Sequence, residues 1–210
     1  MAEHRSIEGA PRRDTRRVRA VLAGGVVLGI GAAITLAAWN DSEFATGTFS
    51  SGHFDVQGST DGSTFSNHAS SGAAAALSFS TGFGTMSPTD VVAAPFVLHL
   101  DKDTNYDATV SVHSAAGSGT AAANLTYQIV QVASLAACTP SATGSATIVP
   151  AGTGLSSVTG ASTFELAAST NPGVDPGVDV VVCIQVTAGA SLAQGTSAVG
   201  TWEFLAASHA

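Results

Sequence analysis

With 210 residues, the chain has room for one ordinary domain plus a targeting segment. Six of its basic residues, Arg5, Arg12, Arg13, Arg16, Arg17 and Arg19, precede position 20, and beyond residue 37 Lys102 alone faces twelve acidic residues. That sign is the opposite of what phosphate neutralisation needs, so nucleic-acid binding is excluded. Aromatic side chains make up 6% and alanine supplies 38 positions, so the core has to be built from thin layers of Val, Ile, Leu and Phe, as in a β-sandwich.

Residues 1–19 are a basic n-region, and 20–37 form an apolar h-region inside the run AVLAGGVVLGIGAAITLAA that ends at Ala38. This is the grammar of a secretory signal helix, with cleavage expected between Ala37 and Ala38. The alternative is a retained anchor, because 19 helical residues span roughly 28 Å, close to the hydrocarbon thickness of a membrane. The expected organisation is therefore a signal peptide over 1–37 and a single domain over 38–210.

Phe44 to Val56 reads as an opening strand region, and 57–85 as Gly/Ser/Thr/Ala-rich loops around short strands. A turn is expected at Met86-Ser87-Pro88-Thr89-Asp90. From Pro95 onward a period of two dominates: Phe96, Leu98 and Leu100 alternate with Val97 and His99, and Ala108, Val110 and Val112 with Thr109, Ser111 and His113. Leu125, Tyr127 and Ile129 follow, with a phase slip expected at Val130 from a bulge that turns Val132 to the other face. Val180, Val182, Ile184 and Val186 share a face opposite Cys183, and Trp202 and Phe204 flank Glu203 in a last strand. No apolar stripe of helical period occurs past residue 40, so the fold class is all-β, an antiparallel two-sheet sandwich.

Cys138 and Cys183 match no zinc or CxxC spacing and are expected to pair in an oxidising compartment. Asp101, Asp103, Asn105 and Asp107 place oxygens like the start of a calcium loop, but Tyr106 stands where glycine is needed and Val112 where the bidentate Glu is needed. A polar hairpin connection is expected there instead. None of His4, His53, His68, His99, His113 and His209 forms an HExxH pair; His99 and His113 could face each other across that hairpin, but no third ligand joins them, so both read as solvent-face side chains. No GxSxG elbow or Ser-x-x-Lys is present, and aromatics are too few for a sugar cleft. No catalytic, cofactor-binding or metal-ligating set emerges, and Asn124-Leu125-Thr126 is a chance sequon.

The stretch GAAITLAAWND at 31–41, followed by FATGTF at 44–49, resembles the SipW-type signal peptide and mature start of the TasA/camelysin group of bacterial surface and biofilm-matrix proteins. VCIQVT at 182–187 with Gly195 to Phe204 is similar to the group's closing strands, and its Pro-Gly-Asp element has Pro88-Thr89-Asp90 as its counterpart. The resemblance implies a jelly-roll sandwich and a secreted, noncatalytic fibre subunit that self-associates into filaments after release by signal peptidase. The segment 38–49, with Trp39, Phe44 and Phe49, would then pair as a strand with a neighbour, although it could equally be the first strand of its own domain. Two other readings are a membrane-tethered monomeric surface or adhesion domain held by residues 20–37, and a camelysin-like secreted metallopeptidase.

Overall fold

The computed structural model describes residues 14–35, 43–48 and 51–209, which fall into two units, Met1–Phe49 and Ser50–Ala210. In the first, Asp14–Thr35 forms a helix, α1. Its Ala, Leu, Val and Arg residues tolerate that conformation, while four glycines weaken it. Among the described residues no helix is long and apolar enough to cross a membrane. Residues 43–48 are exposed and have no regular structure. Over its described residues the opening strand expected from Phe44 is therefore corrected: the first described strand begins at Val56, because Thr46-Gly47-Thr48 offers no apolar side chain to bury.

The described residues of the second unit contain eight strands: β1 (Val56–Ser59), β2 (Val91–Leu100), β3 (Asp107–Ser118), β4 (Leu125–Val132), β5 (Ala146–Gly154), β6 (Phe164–Leu166), β7 (Val180–Ala188) and β8 (Val199–His209). They form a five-stranded sheet in the order β1-β2-β7-β4-β5 and a three-stranded sheet in the order β6-β3-β8, and every pairing is antiparallel. Phe96, Leu98, Leu100, Tyr127, Ile129, Val182 and Ile184 from the larger sheet bury against Val110, Val112, Phe164 and Leu166 from the smaller one. Phe204 completes this layer, its ring centroid 5.8 Å from that of Phe96. The period of two read from the sequence is thus the alternation between core and outer face.

Two details of phase and connection differ from expectation. β4 runs in unbroken register against β7 from Leu125↔Ala188 to Val132↔Val181, so Val130 and Val132 lie opposite Ile129 by simple alternation. A register shift does fall between Ile129 and Val130, but it is against β5 and the extra residue, Ile148, is on β5, so the slip expected within β4 itself is corrected. A second bulge lies in β3, where the register against β8 shifts between Val112 and Ser114 and leaves His113 as the extra residue. The expected hairpin between Leu100 and Ala108 is also corrected, because β2 and β3 belong to different sheets. His99 and His113 therefore do not face each other.

The turn at 86–90 is present. Asp90 N–H donates to Ser87 O at 3.1 Å, and the Asp90 carboxylate accepts from Ser87 N–H at 2.7 Å. Thr89 adopts φ 75°, the one positive φ outside glycine among the described residues. Pro95 is tolerated inside β2 because β1 pairs only with Val97–Leu100, so no neighbouring strand needs the missing N–H on that side.

Candidate assembly surface

The outer face of the larger sheet is covered. The loop 133–145 lies across it, tied by the Cys138–Cys183 disulfide with a Cα–Cα distance of 5.1 Å. Val130, Val132, Ala93 and Cys183 are buried beneath that loop. Gln185, 1% exposed, donates its amide to Thr139 O at 2.7 Å and Ala142 O at 3.0 Å, and its oxygen accepts from Gln128. A buried amide with every partner present fixes the loop's position as well as its attachment. The expected pairing of the two cysteines is therefore seen, and it fits an oxidising compartment.

The edges of this sheet are blunted. β1 has four residues. β5 contains Pro150, takes Gly152 to φ 82° and shifts register twice against β4. Short, irregular and proline-bearing edges resist pairing with another chain.

The smaller sheet is built differently. β8 runs for eleven residues, and among the described residues it pairs with β3 alone, so its second edge is open along its length. It holds no proline or lysine, and its only formal charge is on Glu203. Trp202, Phe204 and Ala206 pack inward, whereas Val199 and Leu205 are 64% and 48% exposed. β6 covers β3 only at Ala108, Thr109 and Val110, so the same side of β3 is unpaired by any described strand from Ser111 onward. Near its end, Gly117 N–H donates to Ser156 Oγ at 3.0 Å.

The sequence-derived site residues disperse. Phe44 is 93% exposed, while Ala37, Ala38, Trp39 and Phe49 lie outside the described residues. The acidic run after β2 does not converge: Asp101 Oδ1 accepts from Asp103 N–H, the Asn105 side chain from His53 N–H, and Asp107 from Ala168 N–H. Among the described residues no three His, Cys, Asp or Glu side chains gather as a metal site. His113 is exposed as expected, but the solvent-face reading of His99 is corrected: it is 4% exposed, because the loop after β1 covers it. Across the outer face of the smaller sheet, Glu165 joins Thr109 and His209 at 2.9 Å each. The His209 contact, then that of Thr109, holds the Glu165 carboxyl below its ordinary range.

A cleft of about 790 Å³ opens beside Phe79, Met86, Val92 and Trp202, and its walls carry hydroxyls and one amide but no ionisable side chain. Such a lining can hold an apolar group but offers no acid or base. The surface features that the sequence missed are the length and openness of β8. Its alternation continues past Phe204 through Ala206, but a strand's neighbours are not written in its own pattern. No protein-family model matches the chain, and no curated protein matches it.

Proposed function

We propose that this chain is a secreted structural subunit of a bacterial surface or biofilm-matrix fibre, of the TasA/camelysin kind its two ends resemble. In this reading the sandwich is of jelly-roll type, export removes residues 1–37, and the segment 38–49 docks as a strand on the next copy. The observation that carries it is the unguarded eleven-residue edge of β8, free of proline and lysine, beside a larger sheet whose edge strands are short or irregular. Main-chain hydrogen bonding along such an edge supplies affinity, while Trp39, Phe44 and Phe49 would supply spaced anchors. Because donor segment and acceptor edge are different surfaces, the contact is head-to-tail and generates an open filament.

Electron microscopy of the purified mature protein tests this directly. Filaments that disappear when residues 38–49 are deleted are the expected result. A protein that stays monomeric at high concentration overturns the reading and favours a tethered surface domain. N-terminal sequencing of exported protein should give a start at Ala38.

A further inference from the structure

His99 lies on the outer side of β2, and its surroundings are made almost entirely of acceptors. Its Nδ1 is 2.9 Å from Asp179 Oδ1, and its Nε2 is 3.5 Å from the Gln57 side-chain oxygen. The orientation of that amide is fixed independently, because Gln57 Nε2 donates to both Asp55 Oδ2 and Asp101 Oδ2 at 3.3 Å. Two carboxylates on one side of the amide require the NH₂ group there and turn the carbonyl oxygen to the imidazole. The ring therefore has an acceptor at each nitrogen. A neutral imidazole has one N–H and one lone pair, so it can satisfy only one of them; the imidazolium satisfies both.

The ring's faces are also engaged. Phe65 stacks on it with centroids 3.7 Å apart and planes inclined by 14°. Phe65 belongs to the loop that follows β1, and that loop is stiffened at its tip. Asp61 Oδ1 accepts from Ser63 N–H and Thr64 N–H at 2.8 Å each, and these bonds hold its carboxyl far below the ordinary range. His99 thus touches three separate pieces of chain: β1 through Gln57, the following loop through Phe65, and the approach to β7 through Asp179. The remaining titratable groups nearby are His53, whose Nε2 is 3.9 Å from Asp101 Oδ1, the Lys102–Asp103 pair, and the half-buried His68, which lies near Ser66. One carboxylate, Asp179, touches this buried ring directly, and two more, Asp55 and Asp101, reach it through Gln57.

We infer that His99 is a proton-operated clasp: as imidazolium it holds β1 and the loop 60–68 against β2, and on losing its proton it lets them go. Deprotonation leaves a lone pair facing an acceptor, so either Asp179 or Gln57 loses its donor. β1 has only four ladder partners, at Val97, Leu98, His99 and Leu100, and its start is anchored by Asp55 bonded to Asp101 N–H and to Thr104 Oγ1, so the clasp acts on its later end, which leads into the loop 60–68. Its release bares the edge of β2 and makes a second strand edge available at higher pH. Protons thereby control an edge that is distinct from that of β8, and the inference does not depend on fibre formation.

The test is limited proteolysis of the mature protein at about pH 5.5 and pH 8, the range over which histidine changes charge, with rates corrected by an unfolded reference substrate. Cleavage within residues 60–68 is expected to be about tenfold faster at the higher pH, the scale of one charge-assisted hydrogen bond. Asp179→Asn, at a half-exposed position that should not endanger folding, is expected to shrink that ratio. Nitrogen NMR of labelled histidine assigns the proton: both ring nitrogens of His99 should be protonated at the lower pH and one should be free at the higher. Equal cleavage at both pH values, or a His99 ring that is neutral at both, overturns the inference.

Discussion

The two sheets share one core yet differ in what lies behind them. In the larger sheet, β2 and β7 are buried on both faces over most of their length. In the smaller sheet, β3 and β8 alternate between a packed side and an exposed side. The first behaves as a middle layer, roofed by the disulfide-tied loop 133–145 and by the loop after β1. The second is an outer wall with a bare face and an open edge. An antiparallel sheet can leave one face to water without cost, but a free edge of regular length invites pairing. The division suggests that the larger sheet supplies stability and the smaller one contact.

If so, removing the roof should do the most damage. Replacing Cys138 and Cys183 together by serine opens a loop of sequence separation 45. Loop-closure entropy puts the expected loss at about 4 kcal/mol, readable as a lower urea midpoint. The same shift should follow reduction of the intact protein. A loss below about 1 kcal/mol would mean that the roof is held by its other contacts alone.

A smaller loss is expected at Gln185. Truncation to alanine strands Thr139 O, Ala142 O and the Gln128 amide in a partly buried setting, costing about 2 kcal/mol by chemical denaturation. This position also marks the limit of what the sequence could tell. Val182, Ile184 and Val186 announce a core face by period alone. Gln185 on the opposite face reads as a solvent residue, and only the arrival of a distant Ser/Thr/Ala loop makes it a buried one. His99 was misread for the same reason: the loop that covers it has Phe65 as its one large apolar residue between 60 and 68. β3 and β8 were legible because no distant segment among the described residues covers their outer faces. The disulfide was legible from chemistry rather than pattern. The open edge was not legible at all, since a strand's sequence does not state how many neighbours it has.

Thr89 offers a gain instead of a loss. Its φ of 75° crowds a β-branched side chain, and relieving that is worth about 1–2 kcal/mol. Glycine gives back roughly 0.5–1 kcal/mol through added freedom in the unfolded chain. Thr89→Gly should therefore stabilise by about 0.5–1 kcal/mol and raise the melting temperature by a few degrees, since the turn's Thr89 N–H bond to Ala188 O is retained. Destabilisation would show that the threonine side chain holds the turn in some other way.

The smallest effect on stability is expected where the smaller sheet is barest. Leu205 lies on the outer face of β8 at 48% exposure, whereas Val130, on the outer face of the larger sheet, is 2% exposed beneath its roof. A charge at Val130 would have to be buried; a charge at Leu205 stays in water. Leu205→Lys should therefore leave the unfolding midpoint within about 0.5 kcal/mol of the parent. Lysine on an edge strand is nevertheless a deterrent to pairing. Filament growth from the mature protein should accordingly slow, with the monomer's circular dichroism unchanged. A variant that unfolds would show that this wall carries stability after all, and one that assembles at the parent rate would move the contact away from β8. The two measurements thus separate what the sheet contributes to the fold from what it presents to a neighbour.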